Sequence, residues 1–277
     1  MTGPEPTAPE RSGSVEVSAT DPLHPSTDAW DVLRRATRAR VALGRAGDGL
    51  PTARWLEFRA AHAAARDAVH SPLDPALVRR ALAGAGVTLD LLEVHSAAPD
   101  RQTYLQRPDL GRRLAEGTEL PAGQHGGAGD EGYDLALVIA DGLSPRAVHE
   151  HAAGTVAAVL QRLPGWSVAP LVLAAQARVA LGDPVGQALG ARIVVVLVGE
   201  RPGLSSADSL GLYLTHSPRP GRADSERNCI SNVRPPHGLG YAQAADTLAA
   251  LLQASRQLGA SGVVLKDEGI ALPPGAG

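Results

Sequence analysis

The pattern of apolar and polar positions changes character at about residue 85. Before it the spacing is helical. Asp28 is placed to cap a helix with Trp30, Leu33, Thr37 and Val41 on one face, ended by Gly44. After the Gly-rich turn GRAGDGLP, Pro51 and Thr52 open a second helix running to about His70, with Leu56, Ala60, Ala64 and Ala68 on one side. Pro75 to Ala83 predicts a short third helix, with Gly84 positioned to end it. A helical hairpin of this size needs a surface to lie against.

From Val87 onward, short continuous apolar runs alternate with helical spacing. VTLDLLEV, LALVIA, Trp166 to Ala174, RIVVVLVGE and GLYLTHS read as strands. Between them, Pro145 to Leu163 and Pro184 to Leu189 read as helices, and RPDLGRRLAEG (107–117) as a short capped one. Tyr241 to Leu258 is a strongly amphipathic helix carrying Ala245, Leu248, Leu252 and Ser255, and GVVLKDE is expected to add a last strand. Leu120 to Asp130, Gly-rich and containing His125, reads as a surface loop. Such alternation predicts an α/β layer built on a mostly parallel sheet. The expected organisation is a flexible tail (1–25), a helical N-terminal domain (26–84) and an α/β domain (85–277).

Composition supports a folded chain and removes several functions. Of 277 residues, 44% are hydrophobic and 20% charged, enough for a sizeable core. The net charge is −3, without the basic excess a nucleic-acid surface needs. Lys266 is the sole lysine among 26 basic residues, a global arginine preference that marks no site. Cys229 is the single cysteine, so there is neither a disulfide framework nor a CxxC zinc knuckle; a reduced, intracellular setting is expected. No stretch approaches the ~20 apolar residues of a membrane span. The first 25 residues, rich in proline and without an apolar core segment, do not form a secretory signal.

The motif search yields no self-sufficient catalytic set. GxxxxGK[ST] is absent, and Gly238 and Gly240 lack the third glycine of GxGxxG. HEHAA (149–153) falls short of HExxH, and His149 and His151, two apart on a helix, point different ways, so no metal is assigned to them. GLSPR (142–146) is not a GxSxG elbow. What remains are polar loops at the ends of apolar strands, where open α/β sheets bind ligands. These are IADGLS (139–144), VGERPGLSSADS (198–209) and SERNCISNVRPP (225–236). Glu200, at the end of a buried strand, must be solvated, paired or bound to a ligand donor. Its plainest role is a loop ion pair with Arg201 or Arg227. Cys229, taken alone, would be a buried small hydrophobe.

These loops, with several other stretches, resemble the small (light) subunit of ethanolamine ammonia-lyase. The resemblance is carried by ARVALGRAG (39–47), RPDLGRRL (107–114), ADGLS (140–144), RVALGDPVG (178–186), VVVLVGERPGLSSADSLG (194–211), SPRP (217–220) and ERNCISNVRP (226–235). They stand in family order and cover nearly the whole chain after the tail. Pro184, where an acidic residue is common, and the Gly-rich segment before Tyr133 depart from the pattern.

The resemblance implies a helical N-terminal domain followed by a Rossmann-like domain. It also implies an adenosylcobalamin-dependent radical enzyme converting ethanolamine to acetaldehyde and ammonia. Its large subunit, a TIM barrel, holds the substrate and the catalytic residues, and the two subunits form a higher-order hetero-oligomer. The small subunit is then non-catalytic and closes over the cofactor, whose family contacts fall on Val179, Glu200 and Cys229. The chain lacks DxHxxG, whose histidine replaces the cofactor's own base on cobalt, so that base is expected to stay in place. A Pro-rich tail does not read as an encapsulation helix, so the cytoplasm is expected, with a bacterial microcompartment as the alternative. Two other classes are a stand-alone small-molecule-binding α/β protein and a purely structural interaction subunit.

Overall fold

A computed structural model describes residues 27–37, 39–121 and 132–265. The tail (1–25), nearly all of the Gly-rich loop (120–130) and the segment from Lys266 lie outside them. The chain forms two compact units, 1–55 and 56–277.

In the first unit, helix α1 (Thr27–Ala36) starts one residue before Asp28, so Asp28 stands inside its first turn and not at the position ahead of it. It ends before Thr37 and Val41, and the described residues that follow, 37 and 39–45, hold no regular structure ahead of a bridge between Ala46 and Gly49. Trp30, Val32 and Leu33 on α1 are exposed. Helix α2 (Thr52–His70) begins where Pro51 and Thr52 open it.

In the second unit, six strands form one sheet. They are β1 (Leu91–His95), β2 (Leu135–Ala140), β3 (Leu171–Ala175), β4 (Ile193–Gly199), β5 (Leu210–His216) and β6 (Arg227–Val233), in the order β1-β3-β2-β4-β5-β6. The β1–β3, β3–β2 and β2–β4 pairs are parallel; β4–β5 and β5–β6 are antiparallel. Every residue of β2 and β4 is buried, as continuous Val/Ile/Leu runs between two helical layers require.

The helices begin where local chemistry supplies caps. Asp74 accepts the Leu77 N–H at 3.1 Å ahead of α3 (Pro75–Gly84), and Asp100 accepts the Thr103 N–H at 2.7 Å ahead of α4 (Arg101–Gln106). Ser144 does the same for Ala147, opening a run of α5 (Pro145–Ala147), a π-helical turn (Val148–Ala152) and α6 (Ala153–Gln161). A short α7 (Gly182–Ala188) precedes β4, and α8 (Tyr241–Leu258) closes with Gly259 in the left-handed conformation. One sheet face packs on α3, α6 and α8 through Val78, Leu82, Val156, Val159, Leu248 and Leu252. The other packs on α7 through Leu181, Val185 and Leu189 against Val194, Val196 and Val198. Each such Leu or Val contributes ~1.5–3 kcal/mol on burial.

Three expectations need correction. Residues 107–117 hold only a single 3-10 turn (Leu110–Arg112), because Pro108 and Gly111 interrupt any longer helix; the helix lies upstream, behind Asp100. GVVLKDE adds no strand among its described residues: Gly262–Val264 is a 3-10 turn, and the part from Lys266 lies outside them. The segment read as the loop SERNCISNVRPP is mostly strand β6 at the sheet edge.

Candidate functional site

The parallel strands place their carboxyl ends together, and three connections meet there. Asp141 and Gly142 follow β2, Gln176 to Val179 follow β3, and Glu200 follows β4. Arg101 ties the first two: its Nη1 donates to Asp141 Oδ2 at 3.2 Å, to Gly142 O at 2.9 Å and to Gln176 Oε1 at 3.3 Å. Asp141 is buried and also accepts the Ala177 N–H at 2.9 Å.

Beyond this tie lies a cavity of about 310 Å³ lined by Arg112, Arg178, Val179, Ala180, Tyr213, Asp224, Arg227 and Cys229. Val179 and Cys229, far apart in sequence, thus border one space. Val179 opens a 3-10 turn, half-buried, after β3. Cys229 stands opposite Tyr213 in the β5–β6 register and is exposed, so it is not the buried hydrophobe expected of a lone cysteine. Although the residue as a whole is open to solvent, neighbouring atoms partly desolvate its sulfur and push the thiol above the ordinary range; the Tyr213 hydroxyl pulls it back, and the Glu200 charge adds to the rise. The Tyr213 hydroxyl is also pushed up, chiefly by burial and then by Cys229.

Glu200 does not line this cavity but lies on the same sheet face. Gly211 makes the room: a Cβ there would stand 2.7 Å from Glu200 Oε1. Ser209 Oγ donates to Oε2 at 2.5 Å, Ser231 Oγ to Oε1 at 2.6 Å, and the Asn232 N–H to Oε2 at 3.3 Å. All three donors are neutral. Among the described residues Glu200 pairs with neither Arg201 nor Arg227; Arg227 is engaged with Asp183 Oδ1 and Oδ2 at 2.8 and 2.7 Å. Oε1 keeps acceptor capacity for a further donor.

The cavity also contains groups the sequence reading did not single out. Arg112 and Arg178 form no ion pair among the described residues, and Arg178 Nε is buried without a hydrogen-bond partner. The Arg178 guanidinium lies 4.5 Å from the centre of the fully buried Tyr104 ring, with Arg101 at 4.9 Å. The sequence signal for Arg178 is its place at the head of RVALGDPVG, next to Val179 and shortly after an apolar strand. The cavity offers apolar wall, acceptors and cationic donors, but no paired nucleophile and base.

The family model described as ethanolamine ammonia-lyase light chain matches residues 27–266. The chain belongs to the ethanolamine ammonia-lyase light chain family. It is 55% identical to an ethanolamine ammonia-lyase small subunit of Ralstonia nicotianae over 248 residues, 89% of this chain and 91% of that one. Similar values hold for the small subunits of Azotobacter vinelandii (55% over 261 residues, 91% and 94%) and Rhodococcus erythropolis (49% over 249 residues, 90% and 93%). As an ammonia-lyase light chain it is part of a lyase. No helix among the described residues is long and apolar enough to cross a membrane.

Proposed function

We propose that this chain is the cofactor-closing subunit of an adenosylcobalamin-dependent ethanolamine ammonia-lyase. Its partner is a large subunit, a TIM barrel within a higher-order hetero-oligomer, that holds ethanolamine and the catalytic residues. The enzyme works in the cytoplasm, with a microcompartment as the alternative, and the second unit is Rossmann-like. The observation that carries this reading is one cavity bordered by Val179 and Cys229, with Glu200 on the same sheet face.

The donor set fits cobalamin, an amphipathic disc rimmed with amide arms. Val179 suits the apolar edge, the free capacity of Glu200 Oε1 suits an amide N–H, and the orphan Arg178 Nε suits an amide or phosphate oxygen. About 310 Å³ is too small for the whole cofactor, so this chain would supply one wall and the partner the rest. The exposed Trp30, Val32 and Leu33 of α1 also suit a partner surface. Bound there, the cofactor supplies cobalt–carbon homolysis; this chain's residues hold and orient it and keep water from the interface.

Co-expression with the large subunit from the same genome tests the reading. Acetaldehyde release from ethanolamine should require both chains and adenosylcobalamin. Ammonia release by this chain alone, rigorously freed of its partner, would overturn it. A stand-alone binding protein would instead take up small molecules without the large subunit.

A further inference from the structure

A second cluster lies apart from this cavity, where the π-helical turn Val148–Ala152 meets the loop ahead of β5. One oxygen each from Glu150 and Asp208 and one nitrogen of His151 lie within 4.8 Å of one another. His151 Nε2 is 3.6 Å from Asp208 Oδ2 and 3.9 Å from Glu150 Oε2, beyond hydrogen-bond reach. The His151 side chain is only 6% exposed, and its Nε2 is buried with no hydrogen-bond partner. An unpartnered buried nitrogen aimed at two carboxylates makes a place for a positive charge, which either a proton on Nε2 or a bound cation supplies.

The surrounding bonds fix which atom is available. Tyr241 donates its hydroxyl to the Glu150 carbonyl at 3.4 Å, so its oxygen is placed to accept a hydrogen bond from His151 Nδ1–H at 2.9 Å. In the neutral ring Nε2 then carries the lone pair. Arg146 Nε engages Glu150 Oε1 at 2.7 Å and Arg234 Nη1 engages Asp208 Oδ1 at 3.1 Å. In both carboxylates the other oxygen is left facing His151. Outer partners that orient each ligand in this way are typical of metal centres. Ligands ~2.1 Å from a tetrahedral ion are ~3.4 Å apart, close to the 3.6 and 3.9 Å observed. Glu150, 39% exposed, and Asp208, 21% exposed, leave a path for entry.

We propose that His151 Nε2, Asp208 Oδ2 and Glu150 Oε2 bind a divalent transition-metal ion, with water completing the tetrahedron. Nitrogen and carboxylate donors in this number suit zinc. The site is independent of the cobalamin reading and is structural: bound metal clamps the π-helical turn to the loop ahead of β5. The two arginines lower its affinity below that of an uncompensated acidic site.

Zn²⁺ is the probe. The complex of this chain with its large subunit, stripped with a chelator, is titrated with Zn²⁺ against a chromogenic competitor. Bound zinc is counted after dialysis. The wild-type complex should hold one more Zn²⁺ per small subunit than the His151→Gln complex, and Zn²⁺ should raise its melting temperature. Glu150→Gln, at an exposed position that keeps the fold, and Asp208→Asn should each weaken this site at least tenfold. Equal zinc content in wild type and all three variants, or no zinc in the wild type, would overturn the proposal.

Discussion

Arg227 on β6 grips Asp183 in the first turn of α7 with two hydrogen bonds, and both side chains are almost fully buried. Thr215 Oγ1 accepts a third bond from Arg227 at 2.7 Å, so the edge strand, its neighbour and the helix over them are tied at one point. Replacing Arg227 by Met leaves Asp183 a buried carboxylate without its counter-charge, which costs about 3–5 kcal/mol. Adding Asp183→Asn removes that stranded charge and should restore much of the loss. Urea unfolding of the two variants checks this; a loss under ~1 kcal/mol in the single variant would mean that water reaches Asp183.

Gly111 has a narrower role. A Cβ at this position would stand 2.7 Å from Tyr104 Cε2 and 3.0 Å from Arg178 Cγ, and Tyr104 is fully buried. Gly111→Ala must therefore displace the ring or the arginine beside it. The expected cost is about 1–3 kcal/mol by thermal unfolding. Adenosylcobalamin binding to the assembled enzyme should weaken with it, because Arg178 borders the cavity. Unchanged stability would show that the ring and Arg178 yield freely.

Much of this architecture was readable from residue order, and the failures have physical causes. LALVIA and the run from Ile193 are legible as strands because a short run, rich in β-branched residues and apolar throughout, suits a strand buried on both faces. Helix α8 has the bounds its spacing predicts. Strand β6 was not readable: its buried positions are Arg227, Ile230 and Val233, every third residue, across a register shift opposite Leu210 and Leu212. A polar edge strand with an irregular register does not show a period of two. Asp100 is a cap signal three residues ahead of Thr103, less conspicuous in the sequence than RPDLGRRL. Val179, Glu200 and Cys229 entered through family resemblance. Their sharing of one sheet face depends on the pairing of Tyr213 with Cys229 and on the absence of a side chain at Gly211, both long-range facts.

The pH dependence of stability should point to histidine. His149 Nε2 accepts the Asp74 N–H at 2.9 Å, which only the neutral ring can do, and burial holds its pKa below the ordinary value. Burial and then Arg222 act on His216 in the same direction. Between the folded and unfolded values the unfolded chain binds more protons, so stability rises with pH. It is therefore full above the unfolded value, ~6.5, and is lost as pH falls from there through the lower folded value. Carboxylates held low, such as Asp109 and Glu226, change charge in more acidic solution. Urea midpoints should thus be lower at pH ~5.5 than at pH ~7.5. His149→Gln keeps an acceptor for Asp74 and should remove part of the drop. An equal drop in wild type and variant would clear His149 of the effect.

Glu200 separates a cofactor contact from a scaffold residue. Its carboxylate gathers Ser209 from the approach to β5 and Ser231 and Asn232 from β6, so it has a structural role whatever it binds. Glu200→Gln keeps the shape and lets the Ser231 hydroxyl turn to accept from the new amide. That rearrangement should cost ~1 kcal/mol of stability in the cofactor-free complex. Ser231→Ala removes one of the three bonds and should cost about the same. The variants part company on the cofactor. If Oε1 accepts from a cobalamin amide, Glu200→Gln should weaken adenosylcobalamin binding by about 1.5–3 kcal/mol, roughly ten- to a hundredfold in Kd. Ser231→Ala should change it little. Kd values for the assembled enzyme, measured beside unfolding of the cofactor-free complex, decide the matter. If Glu200→Gln matches Ser231→Ala in both, Glu200 belongs to the scaffold and the cofactor rests on Arg178, Val179 and the Cys229 strand without it.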